Sequence, residues 1–222
     1  MSEFRLKAIC LKAKTIYRND GILPLIGRII KKPFSLLFEM NRAGWFERGL
    51  STPINRYDPR VLLKADLSSK DETLQWIENQ SIPWANNPRE DAVGLEQGHY
   101  FPNVKYQGKI VGYMKIGYGK VYIQDFKKDI LPGEGVAFVY DSYVLPNYRG
   151  LGIAPFLMTG VMVFLKKNGF KKVMCHIPPW NHASISFFTK CGFKKTKSIA
   201  YFKIFGMKIF TTNPETLLIN KG

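Results

Sequence analysis

The chain has 222 residues, 45% of them hydrophobic and 23% charged, which suits one buried core with room for an appendage. It contains no internal repeat, no low-complexity segment and no uncharged run of transmembrane length, which argues against repeat and membrane-spanning proteins. Its three cysteines follow no disulfide, redox or metal-binding spacing, so we expect a reducing compartment and no metal. The charged first residues lack the apolar segment and cleavage site of a signal peptide.

The net charge of +16 is unevenly distributed. Residues 1–64 carry +8 (13 Lys+Arg, 5 Asp+Glu), residues 65–140 carry −2 (8 and 10), and residues 141–222 carry +10 (12 and 2). The last third therefore suits a ligand with several phosphates, whereas the slightly acidic middle third favours an amine-bearing one. Nucleic acid is not an expected partner, because the sequence has no recognised DNA- or RNA-binding motif.

The first sixty residues predict a basic, amphipathic helical extension, assigned to residues 1–60. Residues 22–30 and 34–40 are apolar and helical in character, and Pro33 should break or kink the helix between them. Two interpretations compete: an arm that packs on its own core or on a second copy of the chain, and an amphipathic element in a membrane interface. We favour the arm, because burying its apolar residues in protein needs no further partner.

Residues 61–222 predict a single mixed α/β domain. A strand at 61–67 precedes a helix from Ser68 to about Gln80, whose first turn is acidic. Residues 82–98, with Pro, Asn and Gly at irregular spacing, are interpreted as a loop. The remaining expected strands are a hairpin of 99–106 and 109–116 about Gln107-Gly108, a sheet extension at 120–124, and a second hairpin of 198–204 and 207–212.

The most informative segment begins with an apolar strand at 136–145. Pro146-Asn147 ends the strand, a turn with Gly150 and Gly152 follows, and a helix opens near Pro155. Backbone N–H groups at a helix N-terminus, beside glycines that allow close approach, form an attractive site for phosphate. The turn lacks the glycine spacing of a Rossmann fingerprint or a P-loop. It predicts a pyrophosphate site, with a purely structural turn as the alternative.

A second strand and helix follow about thirty residues downstream. The strand at 171–177 ends at Pro178-Pro179, and the helix at 181–193 carries Ile185 and Phe188 on one face before Gly192 ends it. Two strand–helix units in succession predict a partly parallel sheet with the helix N-termini at one edge. Ligands bind at such an edge.

The segments R-G-L-G-I-A at 149–154 and N-x-x-S-x-x-F-F-x-K-x-G-F at 181–193 together resemble the GNAT superfamily of acyl-CoA-dependent N-acyltransferases. The resemblance is specific from Gly135 to Phe193, extends over about 61–212, and does not cover the first sixty residues. It implies a mixed, largely antiparallel central sheet with a splayed parallel pair, flanked by helices. It also implies acetyl-CoA as the acyl donor.

The resemblance assigns donor-binding roles. Backbone groups of Tyr143 and Val144 would meet the pantetheine arm of CoA, the amides of 149–154 would hold the pyrophosphate, and Asn181 would lie near the thioester. The residues expected to bind the donor are Tyr143, Val144, Arg149, Gly150, Leu151, Gly152, Ile153, Ala154, Asn181 and Ser184.

The attacking amine must lose a proton, which a carboxylate or a water chain usually accepts. Asp141 is the best-placed carboxylate, and a solvated or strand-bulge acid is the alternative interpretation. Many relatives carry a Tyr in the second helix as the acid for the leaving thiolate, whereas this chain has Phe188. Ser186, Tyr143 or a water can replace that acid, or the chain binds acyl-CoA without turnover. His176 is interpreted as a hydrogen-bonded structural residue rather than a base.

We therefore expect an N-acyltransferase that moves an acetyl group from acetyl-CoA to a primary amine of a small molecule. One alternative is a donor that is an acyl carrier protein or a long-chain acyl-CoA, docked by surplus lysines; another is a non-catalytic acyl-CoA-binding regulatory module. The expected location is cytoplasmic, with an anionic inner membrane surface and a homodimer as further alternatives. In the 82–98 loop, Trp84, Arg89 and Glu96 are candidates to touch the acceptor.

Overall fold

The computed structural model describes residues 38–211, except 56, 68–69, 81–86 and 205–206. The chain divides into two units, Asn41–Ala200 with Phe210–Gly222, and Met1–Met40 with Tyr201–Ile209. In the second unit the described residues are ends of strands, so the helices expected at 22–30 and 34–37 lie outside the described part of the chain.

The helices and strands alternate along the chain. They are β1 (Phe38–Gly49), β2 (Leu63–Asp66), α1 (Lys70–Asn79), α2 (Pro88–Glu96), β3 (Asn103–Tyr106), β4 (Lys109–Gly117), β5 (Val121–Ile123), β6 (Lys128–Ile130), β7 (Val136–Val144), α3 (Ile153–Lys167), β8 (Lys172–Ile177), α4 (His182–Lys190), β9 (Lys194–Ile204) and β10 (Met207–Phe210).

The central sheet of the larger unit has the strand order β9-β1-β8-β7-β4-β3-β2. Strand β7 pairs antiparallel with β4 and parallel with β8, while β1 pairs antiparallel with β8. The predicted fold class, a largely antiparallel sheet with one parallel pair and flanking helices, is confirmed. The hairpin turn at Gln107-Gly108 is confirmed too, since both residues have the positive φ that tight hairpin turns require.

Strand β1 corrects the expected organisation of the first sixty residues. The prediction of a helix is wrong for residues 38–40, and the domain boundary predicted at 61 falls after the first strand of the sheet. Trp45 and Phe46, 1% and 4% exposed, are both buried although consecutive side chains on a strand point to opposite faces. A strand buried on both faces has no alternating pattern, which explains why the sequence did not indicate it.

Helix α2 lies where the sequence predicted only a loop. The side chain of Asn87 accepts hydrogen bonds from the backbone N–H groups of Arg89 and Glu90 at 3.1 and 3.3 Å, and Pro88 occupies the first helical position. Asn followed by Pro is therefore a helix start at this point. The expectation that 120–124 extends the central sheet is also wrong, because β5 pairs with β6 in a separate two-stranded sheet.

The two faces of the central sheet are covered by different helices. Helix α3 buries Leu157 and Met158 in the cluster that also contains Met114 of β4. Trp76 and Ile77 of α1 pack instead on Tyr113, the neighbour of Met114 in the strand. Because neighbouring residues of a strand point to opposite faces, these contacts define an α3 face and an α1 face.

Candidate active site

A cleft opens where the parallel strands β7 and β8 separate. Their pairing joins residues 136–139 to 172–175 and ends there, although β7 continues to Val144 and β8 to Ile177. Opposite β4, Lys115 pairs with Asp141 and Ile116 with Val139, so Tyr140 is the extra residue of a bulge. A bulge bends its strand and increases the local twist. The cleft has a volume of about 690 Å³ and is lined by residues of both faces.

The structure brings most of the predicted site residues to this cleft. The ones that line it are Asp141, Tyr143, Val144, Arg149, Ala154, Asn181 and Ser184. Gly150, Leu151, Gly152, Ile153 and Ser186 are not among the lining residues. Ser186 is exposed on α4, so the structure does not bring this hydroxyl to the place where an acid for the thiolate would stand.

The glycine turn has the backbone conformation that the sequence suggested. Gly150 and Gly152 both have φ of +81°, and Gly152 is the residue that caps α3 without any side-chain hydrogen bond to the first turn. Backbone N–H groups of that turn therefore remain available to an anion. Ile153 is only 2% exposed and anchors the start of α3 in the core. A Cβ atom on Gly152 would lie 2.5 Å from the Tyr57 ring. No sequence pattern indicated this contact.

Arg149 and Asn181 are both held in place by backbone contacts. Arg149 donates from Nε to the Val144 carbonyl at 3.1 Å, and its guanidinium lies 5.5 Å from the centre of the Tyr143 ring. The side-chain oxygen of Asn181 accepts the backbone N–H of Ser184 at 3.1 Å and so caps α4. One positive charge and one capped helix start are thereby fixed at the edge of the cleft.

Phe188 is 3% exposed and lines the cleft at the position where many relatives are expected to carry Tyr. Its ring lies 4.4 Å from that of Phe187 and 5.0 Å from that of Phe193, measured between centroids. It is an apolar wall of the cleft and supplies no proton.

Asp141 lies beside the bulge and receives a hydrogen bond of 2.5 Å from the Tyr113 hydroxyl. Burial raises the pKa of Asp141, while the Tyr113 hydrogen bond and the charge of Lys115 act in the opposite direction. The pKa of Tyr113 is raised as well, mainly by burial and then by the Asp141 charge, so the phenol stays protonated and donates to the carboxylate. This bond holds Asp141 in one orientation in the cleft.

Glu90 of α2 is a cleft residue that sequence reasoning missed. It is 7% exposed, and its Oε1 accepts the backbone N–H of Gln124 at 3.2 Å. Burial first, and the neighbouring Asp141 charge second, raise the pKa of Glu90 to about 8. Two carboxyl groups that hold protons more tightly than usual therefore line one cleft, as catalytic acids and bases often do. The sequence signal that could have indicated this position is the Asn87-Pro88 helix start, because the helix that begins there turns Glu90 inward.

Asp125 is a third carboxyl group in the cleft, and its surroundings lower its pKa instead of raising it. His176 Nε2 lies 3.0 Å from Asp125 Oδ2, and this hydrogen bond is the main reason that the pKa of Asp125 is lowered. The His176 ring is stacked on Phe138 at 5.9 Å and lies 5.7 Å from Phe126. The interpretation of His176 as a hydrogen-bonded residue is confirmed, and the residue also lines the cleft.

Among the residues that the structure describes, no three His, Cys, Asp or Glu side chains come together as a metal site. None of the described helices has the length and apolar character needed to cross a membrane. Of the three loop residues expected to touch the acceptor, Arg89 and Glu96 do not line the cleft, and Trp84 lies outside the described residues.

Comparison with solved structures shows the same fold in proteins of low sequence identity. A Drosophila protein has a TM-score of 0.56 at 11% identity, over 83% of this chain and 59% of that one. A GCN5-related N-acetyltransferase from Sphaerobacter thermophilus has a TM-score of 0.55 at 12% identity, over 82% and 56%. The chain thus spans less than two thirds of the length of each.

Curated proteins show no significant match to the sequence. The family model for GNAT acetyltransferases, in contrast, matches residues 66–193, which is more than half of the chain and includes the bulge, the glycine turn and α4. The chain therefore belongs to the GNAT family of acetyltransferases.

Proposed function

We propose that this protein transfers an acetyl group from acetyl-CoA to a primary amine of a small molecule. The observation that carries the proposal is the cleft between β7 and β8, because it joins two chemically different halves. One half holds the α3 N-terminus and Arg149, and the other holds Asp141, Glu90 and Asp125.

The first half suits the donor. The positive end of the α3 dipole, the uncapped N–H groups after Gly152 and the Arg149 guanidinium are all complementary to a pyrophosphate. The pairing of β7 with β8 ends at Val139, and the stretch of β7 beyond it lines the cleft, so this stretch is where a pantetheine arm would lie. Ala154 and Phe188 provide the apolar lining beside it.

The second half suits the acceptor. An amine that arrives as an ammonium ion first loses a proton to Asp141, and its lone pair then attacks the carbonyl carbon of the thioester. The new C–N bond forms as the C–S bond breaks, and the second proton released by the nitrogen passes through solvent to the thiolate, which becomes CoA. Asp141 then returns its proton to solvent. Tyr113 holds Asp141 in place throughout, and Glu90 lies within range to influence its charge.

Phe188 leaves the thiolate without a proton donor from α4. A thiol is a fairly acidic leaving group, with a pKa of about 8.5 for the comparable Cys side chain, so its departure as the anion is feasible.

The first test is calorimetric titration of the full chain with acetyl-CoA and with desulfo-CoA, at low and at physiological salt. We expect saturable one-to-one binding that persists at physiological salt. Thiol release is then followed in the presence of primary amines near pH 8, where a larger fraction of each amine is unprotonated. A folded protein that binds neither compound, or that binds acetyl-CoA and releases no thiol with any amine, would show the proposal to be wrong.

A further inference from the structure

We propose that the acceptor carries a second cationic group, as a diamine does, and that Asp125 binds this group while the other amine reacts. The inference rests on the proposed acetyl transfer and assigns a substrate class and a specificity residue to the acceptor half of the cleft. Three observations support it: how Asp125 is held, how its carboxylate differs from the other two, and how charge is balanced around them.

Asp125 is fixed from two directions at the turn between β5 and β6. Its backbone carbonyl accepts a hydrogen bond of 2.7 Å from Asn41 Nδ2, and its side chain receives the 3.0 Å hydrogen bond from His176 Nε2. The His176 ring is itself confined by Phe138, and its Nδ1 is buried with no hydrogen-bond partner among the described residues. The Asp125 side chain nevertheless remains 45% exposed, so a ligand in the cleft can reach it.

The three cleft carboxyl groups fall into two classes. Burial raises the pKa of Asp141 and of Glu90, which makes both carboxyl groups better proton acceptors than an exposed carboxylate. The hydrogen bond from His176 lowers the pKa of Asp125, which therefore stays ionised near neutral pH. When environments drive the pKa values of neighbouring acids apart, the acids perform different tasks. A permanently ionised carboxylate beside a proton acceptor suits binding of a cation that does not react.

Two cations near the cleft pair with acids other than Asp125, whose side chain accepts a hydrogen bond from His176. Lys115, which is fully buried, forms an ion pair of 2.5 Å with Asp91, an acid that does not line the cleft. Arg89 lies 3.2 Å from Asp129 of β6. A reacting amine gives up its own positive charge before it attacks, so it cannot balance Asp125. A second ammonium group on the same molecule can.

Asp125 and Asp141, the two groups that would bind one diamine, line the same cleft. Gln124, the neighbour of Asp125, donates its backbone N–H to Glu90 at 3.2 Å, which brings the turn and α2 together at the cleft. A volume of about 690 Å³ easily holds a short diamine beside the end of a pantetheine arm.

The test compares amines that differ in one charge only. Thiol release from acetyl-CoA by the full chain is measured with butylamine and with diaminobutane, and likewise with the three- and five-carbon pairs. We expect kcat/KM for the best diamine to exceed that of its monoamine at least tenfold, about 1.4 kcal/mol of transition-state binding. In Asp125→Asn, which keeps the shape of the side chain and an acceptor for His176, this ratio should fall to between about one and three.

Asp129→Asn is the matched control, because Asp129 lies in β6, four residues after Asp125, and does not line the cleft. It should keep the wild-type ratio. Equal kcat/KM for monoamine and diamine in the wild type would overturn the inference and leave the proposed acetyl transfer standing. This wild-type comparison tests the second cationic group even if Asp125→Asn fails to fold. Thiol release with none of the amines would overturn both. Equal loss of the ratio in the two variants would overturn the assignment to Asp125.

Discussion

The free energy of unfolding of the wild-type protein should fall as the pH rises from about 5 to 8 because of Glu90. In Glu90→Gln this fall should be absent. The Glu90 side chain is 7% exposed and its pKa is raised from 4.5 to about 8, chiefly by burial. Between these two values the unfolded chain has released the Glu90 proton, whereas the folded chain still holds it. The unfolded state then binds fewer protons, so the free energy of unfolding falls as pH rises.

The size of the change in the free energy of unfolding follows from the pKa shift of Glu90. Each pH unit changes the free energy of unfolding by about 1.4 kcal/mol, so the full range from 4.5 to about 8 corresponds to about 5 kcal/mol. Gln resembles the protonated carboxyl and keeps an oxygen to accept the Gln124 backbone N–H. The advantage of Glu90→Gln over wild type should therefore be near zero at pH 4.5 and largest above pH 8.

The assay is urea unfolding of the full chain followed by tryptophan fluorescence, in steps from pH 4.5 to 8.5. Glu96→Gln is the control, because Glu96 is exposed at the end of the same helix. Its stability relative to wild type should vary by no more than about 0.5 kcal/mol across the range. A difference between Glu90→Gln and wild type that does not change with pH would refute the reasoning.

Three further predictions concern the cleft and its support. Asp141→Asn should lower kcat by about 10² or more with acetyl-CoA binding retained, measured by thiol release and calorimetry; unchanged kcat would contradict its role as proton acceptor. Gly152→Glu should abolish CoA binding and lower stability, because it places a side chain at a positive φ and against the Tyr57 ring; Gly169→Glu, at a similar positive φ (+83°) with open space around it, should lose less stability and still bind. Lys115→Met should lower the free energy of unfolding by about 1 to 3 kcal/mol, because the Asp91 carboxylate, only 23% exposed, loses the buried cation that pairs with it, and Lys105→Met, at a more exposed pair, by about 1 kcal/mol or less. Urea unfolding measures both, and equal losses would contradict the argument.

The sequence alone determined the features that depend on local backbone chemistry. The positive φ of Gly152, the cap that Asn181 places on α4 and the hairpin turn at Gln107-Gly108 all follow from what those residue types do within a few positions of themselves. The spacing of these signals was enough to predict the parallel strand pair and the family. The same signals made Asp141 a candidate proton acceptor, because this residue lies on the strand that precedes the glycine turn.

The tertiary structure decided which side chains share the cleft. Strand β1 is specified by its pairing with β8, helix α2 turns Glu90 inward, and the β5–β6 turn carries Asp125 to His176, which is 51 residues away. The same structure keeps Ser186 out of the cleft. These outcomes depend on contacts between distant segments. The identity of an Asp or Glu in the sequence does not indicate whether its carboxylate is solvated or buried. Only its surroundings set its pKa, and the surroundings exist only once the chain has folded.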